Sequence, residues 1–232
     1  MKTSNKLLLG FLGTIIALIF FVAFQLKAEY QKINTNDPYR NYERIALKSV
    51  KYMAINGLID SKSSDYQNTL LIKHISGNEK TLFIPKEGGF RELVDFSYKG
   101  DTLIINSNIN YRYPLPIFVS GIVPETIKTN CASINLDSVS VGHLQISLEK
   151  KAELVLNKTQ VQKIDATLND NSQLKLIGNS RVDDISLDLQ NQAKADLGEA
   201  KLGKISLQMS SSAKVSATKD NLLLLQKTSS LQ

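Results

Sequence analysis

A spacing of about twenty residues constrains this chain's fold more than any other feature. Set in register, residues 144–148 (LQISL), 164–168 (IDATL), 185–189 (ISLDL) and 205–209 (ISLQM) each alternate apolar and polar side chains. Eight residues after each start comes a second alternating segment: 152–156 (AELVL), 172–176 (SQLKL), 193–197 (AKADL) and 213–217 (AKVSA). A third apolar position follows at Val161, Val182 and Leu202, and one unit earlier 132–136 (ASINL) and Val141 fit the same columns. The period is 20 or 21 residues, and self-similarity at such a period is the mark of a stacked-repeat fold.

Alternation at period two is strand geometry, because successive side chains of a strand point to opposite faces. A helix would place its apolar residues three and four apart. The expected fold is therefore all-β: each unit is one turn of a parallel β-solenoid, with 144/164/185/205, 148/168/189/209 and 156/176/197/217 as ladders of stacked inward side chains. The column 132/152/172/193/213 holds only Ala or Ser and predicts a tight position near a corner. One coil cannot bury its own apolar side, so neighbours must cover it and the ends need caps. The stretch 221–226 (NLLLLQ), within a C-terminal cap and tail over 221–232, is the predicted cover for the last of the regular coils at 129–220. A partner-binding patch is the alternative for that stretch.

Residues 7–24 (LLLGFLGTIIALIFFVAF) form an apolar run broken only by Thr14, Gly10 and Gly13. As a helix it is about 27 Å long, close to the thickness of a bilayer's hydrocarbon core. A cleaved signal peptide competes, but the run exceeds the usual length of such a segment and no small-x-small cleavage site follows it. The expectation is a single-pass signal-anchor over 1–26, with the lipid bilayer as partner through residues 7–24. The Lys/Arg balance across it is nearly even, and the short N-terminal tail favours translocation of the body to the periplasmic or extracellular side. Residues 27–42 are polar and read as a tether.

From 43 to 128 short alternating runs lie between turn signals. Residues 69–75 and 80–84 flank Ser76-Gly77-Asn78-Glu79, and 90–98 and 102–109 flank Lys99-Gly100-Asp101. Both read as hairpins. A further apolar run at 115–119 follows, and helices find little support outside the anchor.

The segment 99–105 (KGDTLII), then Pro116-Ile117-Phe118-Val119 leading to Pro124, then repeats of the l-x-i-x-l-x-x-x-A-x-v-x-l type, together resemble the DUF2807 family, the adhesin-like head GIN domain of Bacteroidetes-type bacteria. The resemblance covers roughly residues 43–217. It implies a right-handed β-solenoid exported to the cell envelope with an adhesin-like role, and no catalytic residues to carry over.

The residues offer little chemistry of their own. The net charge of +6 is spread thinly: residues 27–128 carry 14 basic and 11 acidic side chains, and 129–220 carry 11 of each. Nucleic-acid binding needs a basic stripe, so no nucleic-acid partner is expected. Cys131 is the single cysteine and reads as a small buried residue. His74 and His143 lie far apart without a metal-binding or triad motif, His143 reading as a surface or corner residue. Asp183-Asp184 reads as a solvated corner, and Lys175 is expected to pair with Asp196 on the next coil. No catalytic, cofactor-binding or metal residue is assigned and no cofactor is expected.

All eight Tyr lie between Tyr30 and Tyr113 and no aromatic residue follows Phe118. Tyr111, Arg112 and Tyr113 are therefore the candidate contacts for an envelope glycan or protein ligand, against the simpler reading that these tyrosines pack over the first coils. The expected function is a non-enzymatic adhesion, binding or display module. The alternatives are a bactofilin-like polymerising scaffold, which needs open coil ends, and a polysaccharide-active β-helix enzyme, which needs acids gathered on one face.

Overall fold

The structure, a computed structural model, describes residues 2–32, 37–57, 70–86, 90–107 and 115–229, in two bodies, residues 1–41 and 42–232. The first is built on α1 (Lys2–Lys32). Its segment Gly10–Gln31 has a mean hydropathy of 2.1 and buries nothing against protein, which makes it long and apolar enough to cross a membrane. Thr14 Oγ1 donates to the Gly10 carbonyl at 2.9 Å, so the one hydroxyl inside the run is satisfied within the helix. The helix runs on to Lys32, into the stretch expected to be tether.

The second body is a β-solenoid. Its early strands are β1 (Tyr42–Ala46), β2 (Tyr52–Asn56), β3 (Leu70–Ile75), β4 (Thr81–Pro85), β5 (Val94–Lys99), β6 (Thr102–Ser107) and β7 (Leu115–Ser120). The regular coils follow: β8 (Thr126–Asn130), β9 (Ser133–Asp137), β10 (Ser140–Glu149), β11 (Glu153–Asn157), β12 (Gln160–Leu168), β13 (Gln173–Ile177), β14 (Arg181–Leu189), β15 (Lys194–Asp196), β16 (Lys201–Met209) and β17 (Lys214–Ser216). Two short helices, α2 (Phe90–Leu93) and α3 (Lys219–Ser229), complete it. One sheet has the order β1-β4-β7-β3-β9-β11-β13-β15-β17 and the other β16-β14-β12-β10-β8-β2-β6-β5.

From β8 onward every pairing is parallel and in the predicted register. Leu144 sits beside Ile164, Ile164 beside Ile185 and Ile185 beside Ile205, all buried. Leu148, Leu168 and Leu189 stack likewise, and Met209 ends that column exposed on the last coil. Leu156, Leu176 and Leu197 are fully buried in the facing sheet. A further inward column, Val139, Thr159, Ser180 and Ala200, is also buried. Its two polar members satisfy each other and the backbone: the Thr159 N–H donates to Ser180 Oγ at 3.2 Å, and the Ser180 hydroxyl lies 2.7 Å from the Ile177 carbonyl. Buried hydroxyls are tolerated on such terms.

The small-residue column is explained by the turn before it. The N–H groups of Ala152, Ser172, Ala193 and Ala213 bond the carbonyls three residues earlier, at Glu149, Asn169, Gln190 and Ser210. In the first three turns the two central residues have positive φ: Lys150 and Lys151 (50° and 64°), Asp170 and Asn171 (52° and 62°), Asn191 and Gln192 (48° and 65°). These are type I′ turns. The residue after each re-enters the core at a sharp corner, where a larger side chain would meet the adjoining wall. Ser172 fits because its Oγ donates to the Leu148 carbonyl at 3.2 Å.

The earlier strands are threaded out of order. β2 lies between β6 and β8, with Tyr52 opposite both Thr102 and Thr126. β3 lies between β7 and β9, with Ile72 opposite both Ile117 and Ile134. The first coil in sequence is therefore the second in the stack. The second coil in sequence folds back over it, and antiparallel strands close that end: β5 on β6, β4 on β7 and β1 on β4. One hydrophobic core, from Leu47 to Ala213, nevertheless runs through both halves.

Three expectations are corrected here. The hairpin around Ser76–Glu79 does not form, because β7 inserts between β3 and β4 and pairs with both. The hairpin around Gly100 does form, but residues 90–93 of its expected first strand are the helical turn α2. The stretch at 221–226 is helical. α3 carries the buried Asn221, whose Nδ2 donates to the Ala200 carbonyl at 3.0 Å, and Leu224 packs against the core. It packs against the last coil, with Leu222 and Leu223 exposed.

Candidate binding face

Each long strand of the second sheet bends once. In β10, β12, β14 and β16 the alternation slips, and Gly142-His143, Gln162-Lys163, Asp183-Asp184 and Gly203-Lys204 all turn away from the core. His143 and the Asp183-Asp184 pair thus stand at a corner. Beyond the bend the strands form one long side whose outward positions fall into rows. Thr126, Gln145, Asp165 and Ser186 make one row, and Lys128, Ser147, Thr167 and Asp188 the next. Between the rows runs a shallow groove of about 300 Å³. Ile146 and Ala166 lie at its floor, and because their side chains are buried, the floor is backbone.

Asp165 is held by two basic partners at the groove's edge. His143 Nε2 lies 2.7 Å and Lys163 Nζ 2.9 Å from its Oδ2. The hydrogen bond from Lys163, with a smaller contribution from His143, holds the Asp165 carboxyl below the usual carboxylate range, and the same pairing raises the Lys163 pKa. Asp165 therefore stays ionised as an acceptor and is unsuited to act as a general acid, which needs a raised pKa. Thr126 Oγ1 donates to Gln145 Oε1 at 3.2 Å, leaving the Gln145 NH₂ as a donor to the groove. Asp188 Oδ1 accepts from Gln190 Nε2 at 2.7 Å. A second trough of about 340 Å³ lies on the short side before the bend, between Gln160, Gln162, Arg181 and Asp183 among others.

The other residues singled out by sequence fall elsewhere. Tyr111, Arg112 and Tyr113 lie outside the described residues. Other aromatic residues do pack over the irregular end: Tyr42 meets Phe118 edge-on at 5.2 Å, and the Tyr98 hydroxyl accepts the Lys48 N–H at 3.2 Å. Lys175 does not pair with Asp196 although the two are register neighbours. Its Nζ reaches Glu153 at 2.7 Å in the other direction, while Asp196 accepts the Gly198 N–H at 3.1 Å. His74 is buried on β3 with its Nδ1 3.4 Å from the Asp137 carbonyl, and burial lowers its pKa. Cys131 is buried, its thiol donating to the Lys150 carbonyl at 3.0 Å and pushed up in pKa by burial. Among the described residues no group of three or more His, Cys, Asp or Glu could hold a metal ion. The groove itself escaped sequence reasoning, since its members come from four coils and meet only once the register is known.

Stacked parallel coils with one long, ordered polar side define a β-solenoid, here preceded by an N-terminal apolar helix long enough to cross a bilayer. The chain belongs to the DUF2807 family, described as "Putative auto-transporter adhesin, head GIN domain", whose model matches residues 66–224. Among solved structures it is similar to a "putative lipid binding protein" from Parabacteroides distasonis (11% identity, TM-score 0.40, covering 76% of this chain and 96% of that one). It is also similar to a "putative adhesin" from Parabacteroides merdae (9%, 0.30, 77% and 95%) and a "putative cell adhesion protein" from Clostridium sporogenes (9%, 0.24, 75% and 97%). No curated protein matches the chain.

Proposed function

We propose that the protein is a membrane-tethered, non-enzymatic binding or display module. In this reading residues 7–24 anchor the chain in the bilayer and the polar stretch before β1 spaces the solenoid from it. The body stands on the periplasmic or extracellular side, where it adheres to an envelope glycan or protein. The observation that carries the reading is the long outward side of the second sheet: polar rows repeat in register over four coils, and the carboxylate most firmly placed there is held ionised. That arrangement suits recognition of an extended partner better than acid–base chemistry. Both coil ends carry covering elements, antiparallel strands at one and α3 at the other, which favours a discrete module over a head-to-tail polymer.

The test is protease digestion of intact and of opened cells, combined with retention of the purified full-length protein on isolated cell envelopes. The solenoid should be cut once the outermost barrier is removed while the cytoplasmic membrane is intact, and the protein should be retained on envelopes. Cleavage only after the cytoplasmic membrane is opened would overturn the topology, and failure of retention would overturn the binding role.

A further inference from the structure

We propose that the groove between the two polar rows of β8, β10, β12 and β14 binds a neutral, extended hexopyranose chain lying along the stacking axis. This rests on the binding-module reading above and names the ligand class. The first argument is spacing. Successive parallel strands are about 4.8 Å apart, and each step presents one residue from each row. An extended β-linked hexopyranose chain advances by nearly the same step, so each successive sugar meets a polar pair at the equivalent position of the next strand.

The second argument is chemistry. Sugar hydroxyls donate and accept at once, and the groove offers both partners: the Asp165 and Asp188 carboxylates accept, the Gln145 amide donates, and hydroxyls do either. The side-chain hydroxyls of Ser147, Thr167 and Ser186 line the groove without a hydrogen-bond partner among the described residues, so a ligand displaces only water from them. Within β8, β10, β12 and β14 neither row holds an aromatic side chain, the exposed Tyr52 standing beside Thr126 on β2 at the end of the first row, so hydrogen bonding carries recognition along these four strands.

The third argument is charge and access. Lys128 is the one cation in the rows, which also hold the two carboxylates Asp165 and Asp188, and the flanking Lys163 is engaged by Asp165. A polyanion would meet no basic stripe, and a backbone floor between polar rows gives a lipid tail no apolar seat. A peptide adding as a strand needs a free edge, but β8, β10, β12 and β14 are paired on both sides.

The test uses the full-length protein in detergent micelles, with cellohexaose as the probe in titration calorimetry. Wild-type protein should bind it. The double variant Ser147→Arg/Thr167→Arg, which fills the groove from outward positions, should bind at least tenfold more weakly. The near-isosteric Thr167→Val should weaken binding at least threefold at an unchanged melting temperature, and Gln173→Arg on the other sheet should bind as wild type does. No binding by wild type, equal binding by the double variant or by Thr167→Val, or preference of this side for heparin or anionic vesicles would each overturn the proposal. Envelope retention separates the two readings: equal retention of wild type and double variant refutes the groove and leaves the binding module standing, whereas retention of neither removes both.

Discussion

Residues 126–217 and residues 42–120 build their walls from the same alternating strands, yet they solve the stacking problem differently. In the later coils, from β10 onward, each strand lies on the one a single repeat before it, so neighbours in space are neighbours in sequence. In the earlier ones β2 and β3 are flanked on both sides by strands from farther along the chain. The regular half gains a side that extends by one identical step per coil. The irregular half gains a closed end, because the strands that come back antiparallel end the stack there. A repeat array needs both solutions, since an interior coil exposes apolar surface and strand edges above and below.

The comparison can be tested at several points, beginning with the largest effect. Leu187→Asp puts an unpaired charge into the inward ladder between Ala166 and Leu207 and should cost about 4–5 kcal/mol or more. Thermal unfolding should show whether the irregular half melts with the regular one, as the continuous core requires. Gly57→Ala acts at the seam: the Gly57 N–H bonds the Asn130 carbonyl at 2.8 Å, and a Cβ there would collide with the Cys131 carbonyl oxygen. A loss of about 2–4 kcal/mol in urea unfolding is expected, and a wild-type midpoint would refute the close approach.

Asn221→Ala removes the bond that seats α3 and should cost about 1–2 kcal/mol. Amide exchange should accelerate in β16 and β17 and stay unchanged in β5 and β6. Smaller still is a pH effect carried by the irregular half. Burial lowers the His74 pKa, so below about pH 6.5 the unfolded chain takes up a proton that the folded one refuses. Stability should be full above that pH and decline as pH falls toward the folded-state pKa. His74→Leu should lose this part of the slope in melts from pH 7.5 to 5. Last, Lys151→Gly relieves a left-handed lysine in a regular turn and should raise stability by up to about 1 kcal/mol. The same change at an extended residue such as Lys175 would lower it.

How much of this was legible follows from what repeats. Ladders such as Leu144, Ile164, Ile185 and Ile205 could be read because each coil places the same kind of side chain at the same column. The Val139, Thr159, Ser180 and Ala200 column was missed because its chemistry is mixed, and what its members share is a buried corner. The order of β2, β6 and β8 leaves no trace in local pattern, since a strand's alternation shows which side is buried and not which strand lies beside it. The missing hairpin at Ser76–Glu79 has the same cause. Lys175 chose Glu153 over Asp196 because a long outward side chain reaches either neighbouring strand equally well. The four leucines at 222–225 mark an apolar segment without marking a helix, because an unbroken apolar run carries no period. The groove needed two rows and four coils in exact register before its unremarkable serines and threonines became a surface.

The out-of-order threading also bears on how the protein can be made. A chain emerging from the ribosome presents residue 52 long before residues 102 and 126, the two it must lie between. Its earliest coil has no permanent neighbour until those residues emerge, and the repeats that could zip up vectorially come last. Growth of the native stack therefore waits until more than half the polypeptide exists.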